Sequence, residues 1–367
     1  MIIAIVTNGP VPYRIPALNK LAALPGIELH VLFCCRREPN RSWDLPAIEF
    51  ACTYLRERII QIGDRYIHNN PDVLPALRRL APDVVITSGF NPTHLYAFAY
   101  AWLSQVPHIV MTDGTYDSER SLSLLHRLVR RLVFARSKAF VWASIGGRQL
   151  FASYGIATAR CFRACLCVEN TRFADDARRS EPAFDFIFCG RIEAVKNPAF
   201  AFDVALATAA LLNRKVRILY VGSGSEQARI EEHAARHPAL VEASFHGFAS
   251  QQDLPLLYRS ARIFLFPTAW DPWGVVANEA CAAGLPVLVT PHAGAAGELV
   301  IDGENGFVCD LDVEAWSARA ALLLTQPATY AAFSARSQAL VKGFTFDTAS
   351  DGIMAACRHA AAAVQRH

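Results

Sequence analysis

Short apolar runs alternate along the chain with longer stretches in which apolar residues recur every three or four positions. In the first half the runs are "IIAIVT" (2–7), "ELHVLF" (28–33), "DVVITS" (83–88), "HIVMTD" (108–113) and "AFVWAS" (139–144). Segments such as "IPALNKLAAL" (15–24) and "DVLPALRRL" (72–80) lie between them and carry the helical period. Continuous apolar strands separated by helices predict βαβ units and a parallel sheet covered on both faces. The stretch 168–185, "VENTRFADDARRSEPAFD", interrupts this rhythm with polar and turn residues and is expected to be a linker. A second series then begins: "FIFCGR" (186–191), "VRILYVG" (216–222), "EASFHG" (242–247), "RIFLFPT" (262–268), "LPVLVT" (285–290) and "GFVCD" (306–310). The pattern therefore predicts an α/β chain of two consecutive Rossmann-like domains, whose ligands sit beyond the carboxyl ends of the strands. The tail, "FTFDTASDGIMAACRHAAAAVQRH", reads as a final helix with no strand to serve. Its packing site stays open, the first domain included.

Composition narrows the class. The 367 residues suffice for two cores, and 53% hydrophobic with 19% charged residues marks a globular chain rather than a disordered one. The opening "MIIAIVTNGPVPYR" has a five-residue apolar run with no basic segment before it, which reads as a strand rather than a signal peptide. No run reaches the length of a membrane span, about 18 residues. The ten cysteines form no zinc-like pair of CxxC units, and most lie in apolar runs. They read as reduced structural thiols of a cytoplasmic protein. Residues 1–180 hold 22 Lys+Arg against 14 Asp+Glu, a net +8, whereas the remainder is net −5. Two halves of opposite charge suggest different partners for each.

Four loops at strand ends of the second half carry candidate chemistry. In "FLFPTAWDPWGVVANEACAAGLPVLVT" a strand, a loop and a helix follow one another, with Asp271 in the loop and Glu279 in the helix. A helix start is an anion site, Gly274 permits close approach, and a carboxylate can accept two hydroxyls. The plainer account makes Asp271 a helix cap and Glu279 a solvated side chain. In "FCGRIEAVKNP", Arg191 and Lys196 follow a strand end, where two cations suit a diphosphate; as ordinary surface cations they would do nothing. "LYVGSGSEQ" offers Gly222 and Gly224, but Gln227 stands where a dinucleotide fingerprint needs glycine or alanine. "SFHGF" places His246 and Gly247 after a strand, with a structural histidine as the default reading.

Taken together, in this order, these loops resemble the second domain of the group 1 glycosyltransferases, the retaining GT-B family that includes glycogen synthases and bacterial mannosyl- and glucosyltransferases. "GRIEAVKN" is similar to the family's GR-x4-K element, and "DPWGVVANEACAAGLPVL" to its E-x7-E signature with Asp at the first acid. "VGSGSEQ" resembles its glycine loop and "SFHGF" the strand-glycine element after it, while "GAAGELVIDGENGFV" resembles the closing segment. The first domain matches more loosely, through "NGPVPYRIPALNKLA", "VPHIVMTDG", "VWASIGGRQLFASYGI" and "VENTRF". The resemblance implies two Rossmann-like domains facing a central cleft. Residues 1–172 would bind the acceptor and 182–345 the nucleotide-sugar, with 346–367 a C-terminal helix. It also implies roles. Arg191 and Lys196 would neutralise the diphosphate leaving group, Glu279 would bind the ribose, and Asp271 would hold the donor sugar. Backbone amides around Trp273, Gly274 and Val275 would meet sugar or phosphate. Gly222 would line the donor site, His246 and Gly247 would lodge the base, and Gly9 would approach the diphosphate. Aspartate at the first acid position bears on the identity of the donor sugar.

The implied reaction moves a hexosyl group from a UDP- or GDP-sugar to an acceptor hydroxyl with retained configuration, in synthesis of polysaccharide, glycolipid or another glycoconjugate. It needs no cofactor and no metal; Asp310 and Asp312 in "CDLD" read as a turn rather than a metal site. On the acceptor side Asp113, ending a first-domain strand, is the catalytic candidate, beside its plain reading as a turn residue. Tyr13 and Arg14 are further candidates in the first loop. The segment "LLHRLVRRLVFARSKAF" (124–140) is basic and amphipathic. Arg127, Arg130, Arg131 and Arg136 interleave there with Leu128, Val129, Leu132, Val133 and Phe134. It is either a solvated helix with its arginines on the outer face, or a contact with an anionic membrane on the cytoplasmic face that takes up the apolar stripe and sets the arginines at the headgroups. The acceptor is then a sugar, a lipid-linked group or a small molecule, and nucleic acid is not expected. Competing classes are a nucleotide-sugar epimerase or phosphorylase of the same fold and a non-catalytic sugar-nucleotide-binding protein. A nicotinamide dehydrogenase is disfavoured, because no complete glycine fingerprint follows the first strand.

Overall fold

The apolar runs form strands because β-branched and aromatic side chains fit a pleated surface buried on both faces. The computed structural model describes residues 1–37, 44–62, 65–120, 122–174 and 181–363. They divide into two units. The first comprises residues 1–166 with the segment from 346 onward, and the second residues 167–345.

In the first unit the strands are β1 (Ile2–Thr7), β2 (Glu28–Phe33), β3 (Ala51–Tyr54), β4 (Ile59–Ile62), β5 (Arg65–His68), β6 (Val84–Thr87), β7 (His108–Thr112), β8 (Ala139–Trp142) and β9 (Cys161–Arg163). Seven make one parallel sheet in the order β3-β2-β1-β6-β7-β8-β9, and β4 with β5 forms a separate antiparallel pair. β1 is central: Ile5 faces Val31 on one side and Ile86 on the other. The second unit holds β10 (Phe184–Cys189), β11 (Val216–Val221), β12 (Val241–Gly247), β13 (Ala261–Phe266), β14 (Val287–Val289) and β15 (Gly306–Val308). Their order is β12-β11-β10-β13-β14-β15, again all parallel. Both sheets reverse strand order beside their first strand, the switch point at which open α/β sheets form a crevice.

The boundary between the units falls at Leu166/Cys167 rather than after residue 172. The helix Asn170–Ala174 belongs to the second unit. Phe173 meets the Tyr258 ring at 5.9 Å, and the Asn170 amide donates to the carbonyls of Val341 and Phe344, each at 3.0 Å. Residues 175–180 of the expected linker lie outside the described residues. The final helix, Phe346–Ala362, belongs to the first unit. Its Ile353, Met354, Ala356, Cys357 and Ala360 enter the core around Ile3, Ile5, Val84, Ile86 and Ile109. Gly352 marks the closest approach, since a Cβ there would stand 1.7 Å from the Arg163 carbonyl oxygen.

The basic segment forms the helix Leu124–Arg136, but its faces differ from the expected ones. Val133 and Phe134, expected in an outward stripe, are buried against Phe140 and Phe151. Arg130, expected among outward cations, is buried as well: it donates to Glu119 at 2.8 Å and lies 4.1 Å over the Phe90 ring.

Candidate functional site

At the carboxyl end of β10 the chain makes a tight 3-10 turn, Ala194–Lys196, closed by Asn197 in the left-handed region. The turn delivers Lys196 to the β13 loop, where its Nζ lies 2.6 Å from Asp271 Oδ2 and 3.4 Å from Thr268 Oγ1. The other Asp271 oxygen, Oδ1, accepts the Trp273 amide at 3.0 Å. Lys196 and Asp271, expected as separate ligands of phosphate and sugar, are thus each other's partners. Each keeps a minor exposed fraction, 15% and 19%. The Trp273 amide, expected to meet the ligand, is instead spent on Asp271. The Trp273 side chain is fully buried, with its indole N–H donating to Asn278 Oδ1 at 2.7 Å. Arg191 is exposed and has no hydrogen bond or ion pair among the described residues.

The helix Val275–Ala282 starts at Gly274, whose φ of 90° suits glycine. A Cβ there would also lie 2.4 Å from the Phe266 ring. The Gly274 and Val275 amides therefore open the helix, where N–H groups lack intrahelical acceptors and attract anions. One turn further on, Glu279 is buried rather than solvated, at 5% exposure. Burial pushes its carboxyl up to about 7, while the Tyr258 hydroxyl, donating to Oε2 at 2.8 Å, pulls the other way. Cys189, ending β10, is buried beside this pair; burial and then the Glu279 charge raise its thiol. Tyr258 is a site residue the motifs did not mark, because it sits in an ordinary apolar helix, Leu254–Arg259.

The glycine loops have a packing role. Gly222 lies at φ 130°, and a Cβ on it would stand 1.9 Å from the Gly190 carbonyl oxygen. Its amide donates to the Gly247 carbonyl at 2.7 Å, and that of Gly190 to Val221 at 2.9 Å. The ends of β10, β11 and β12 are thereby laced together. Gly222, expected to line the donor site, faces protein backbone. Gly247, at φ 77°, has open space around its would-be Cβ, and His246 beside it is exposed.

In the first unit a pocket of about 210 Å³ collects Gly9, Tyr13, Arg14 and Asp113, all singled out by the sequence, together with Arg36 and Arg37. Arg14 forms an ion pair with Asp113. Arg36 and Arg37 were missed, although the pair "RR" was a signal: it follows β2 after only Cys34 and Cys35, close to a strand's carboxyl end. Three arginines against one aspartate leave the pocket cationic. Asp310 and Asp312 occupy a turn, as expected. Asp312 caps the helix Val313–Thr325 through the amides of Glu314 and Ala315, and the Asp310 carbonyl accepts the Trp316 indole. Among the described residues no group of three or more His, Cys, Asp or Glu is placed to hold a metal ion.

Residues 170–339 match the family described as glycosyl transferases group 1, a span covering almost all of the second unit. The second unit is thus similar to the group 1 glycosyl transferases. The chain is 29% identical over 262 residues to a glycogen synthase of Mycobacterium tuberculosis, covering 68% of this chain and 62% of that protein. It is 31% identical over 236 residues to a D-inositol 3-phosphate glycosyltransferase of Rhodococcus opacus, covering 58% and 51%. The matched part thus spans less than two thirds of these curated relatives. Among solved structures, Anabaena HepE in complex with UDP has a TM-score of 0.74 at 15% identity, over 96% of this chain and 98% of that one. Sucrose-phosphate synthase from Thermosynechococcus elongatus gives 0.69 at 15% identity, over 96% and 97%. These likenesses show the fold, which is GT-B. Within the matched residues 170–339, the Arg191–Lys196 loop and the Asp271–Glu279 corner are the segments that the sequence resemblance had singled out.

Proposed function

We propose that the protein transfers a hexosyl group from a nucleoside diphosphate sugar to an acceptor hydroxyl, with retention of configuration and without a divalent ion. The observation that carries this reading is the corner formed by Lys196, Asp271, the glycine-started helix and buried Glu279, at the strand ends of the second unit. As the bond from the anomeric carbon to the diphosphate breaks, negative charge develops on the leaving oxygen. Lys196 and Arg191 would stabilise it together with the Gly274 and Val275 amides. Glu279 would accept the ribose hydroxyls, and Asp271, held by Lys196, would accept from the donor sugar. The acceptor hydroxyl loses its proton as its oxygen bonds to the anomeric carbon, with Asp113 the first-unit carboxylate assigned to orient or receive it. HepE structures in complex with UDP and with UDP-glucose support a uridine diphosphate donor.

The test is a panel of UDP-, GDP- and ADP-sugars, scored by thermal stabilisation and by donor turnover in excess chelator. One nucleotide class should raise the melting temperature saturably. Turnover should persist in chelator, and the product should keep the donor's anomeric configuration by NMR. Lys196→Ala should lower turnover at least about tenfold, equivalent to about 1.4 kcal/mol of transition-state stabilisation. No stabilisation by any nucleotide-sugar, or undiminished turnover in Lys196→Ala, would overturn the reading.

A further inference from the structure

The first unit carries an apolar stripe that its own core does not use. On the helix Leu124–Arg136, Leu124, Leu125, Leu128 and Leu132 are 77%, 69%, 61% and 47% exposed. At about 100° per residue these four fall within roughly a 100° arc. The arc lies opposite the face that anchors the helix, where Arg130 binds Glu119 while Val133 and Phe134 join the core. The stripe is about 12 Å long. At the end of the neighbouring helix Pro92–Leu103, Leu103 is 80% exposed, and Trp102 is half-exposed beneath the Arg136 guanidinium, 4.4 Å from its ring. Single exposed leucines are ordinary, but a contiguous row of them on one helix marks an interaction surface.

Charge decides what covers it. Arg127, Arg131 and Arg136 are exposed around the stripe, and from Arg120 to Lys138 the sequence holds six Lys+Arg and no Asp or Glu. A second copy laid on this face would bring like charges together. An anionic lipid surface accepts both parts at once, the leucines in the acyl boundary and the arginines among the headgroups. No described helix is long and apolar enough to cross a membrane, so the geometry is that of a helix lying in the interface. We propose that the Leu124–Arg136 helix docks the protein onto an anionic bilayer through Leu124, Leu125, Leu128 and Leu132, with Arg127 and Arg131 at the headgroups. Arg130 is not part of this contact, because Glu119 holds it inside. The proposal stands on this surface alone and is independent of the sugar-transfer reading.

The test is flotation of the whole protein with vesicles of phosphatidylcholine alone and of phosphatidylcholine mixed with phosphatidylglycerol. Binding is expected to the anionic vesicles, weakening as salt rises, and not to the neutral ones. Leu125→Ser with Leu128→Ser should lower partitioning at least about tenfold, and so should Arg127→Glu with Arg131→Glu. Both pairs are exposed, so thermal unfolding and stabilisation by nucleotide-sugar should stay as in the parent, which separates failure of docking from failure of the donor site. No flotation with anionic vesicles at low salt would overturn the proposal. So would undiminished flotation of the leucine variant, or a parent dimer that the leucine variant turns into monomers while neither floats.

Discussion

Glu279 places a titrating carboxyl near neutrality in the middle of the candidate donor site. The folded carboxyl keeps its proton to about pH 7, against an ordinary value of 4.5, because burial disfavours the charge. The sign follows: its contribution to stability is intact below about 4.5 and is lost as pH rises through 7. Denaturant titrations from pH 4.5 to 8 should show this fall in the parent, and Glu279→Gln should remove it. The Tyr258 hydroxyl opposes burial by donating to the ionised carboxylate. Tyr258→Phe should therefore raise the Glu279 pKa further. If the carboxylate accepts ribose hydroxyls, nucleotide affinity rises with pH through this value. In Tyr258→Phe the rise should move upward by about one unit, the equivalent of one lost charge-assisted hydrogen bond. Calorimetric titration with UDP across pH 6–9 measures it, and an unshifted midpoint would argue that Glu279 does not meet the nucleotide. At this scale the sequence made the acids and cations legible by type and spacing. Whether each was buried or paired was not legible, because Tyr258 and Glu279 are brought together from two separate helices.

At the scale of elements, the strands were the clearest feature, because parallel strands buried on both faces leave continuous apolar runs. β3, β4, β5 and β9 escaped notice: β3 and β9 are short, partly exposed edge strands, and β4 with β5 is a four-residue antiparallel pair outside the parallel sheet. The Leu124–Arg136 helix was visible, but its inward face was not. A helix that buries one arginine against a distant glutamate does not announce which arginine that is. The glycine loops show the same limit. Gly222 follows β11 and Gly247 ends β12, yet only Gly222 presses on another loop, the one after β10. Gly222→Ala should lower unfolding free energy on the order of 3 kcal/mol, through the clash with Gly190 and the disfavoured φ. Gly247→Ala, with open space but φ 77°, should cost about 1 kcal/mol. Chemical denaturation of the two variants checks the contrast. Equal losses would mean that the lacing of the strand ends contributes little.

For the whole molecule, the notable feature is a chain that leaves its first unit at residue 166, builds the second, and returns at Phe346 to complete the first. Ile353 and Met354 of the returning helix alone bring about 3–6 kcal/mol of burial to that core. This is comparable with the net stability of a domain, about 5–15 kcal/mol. A chain ended after Thr345 should therefore lose protease resistance in residues 1–166 while 167–345 stay protected; equal protection of both would show that the helix is dispensable. The sequence by itself determined the α/β class, the two series of parallel strands and the loops that carry Arg191, Lys196, Asp271 and Glu279. Those follow from local period and from residue type at strand ends, which are properties of neighbours along the chain. Only the tertiary structure decided that Lys196 and Asp271 pair, that Glu279 lies buried under Tyr258, that Arg130 turns inward and that the last helix belongs with the first strands. Each of these depends on which distant segment covers a side chain, and burial, pairing and pKa are set by that cover rather than by the local sequence.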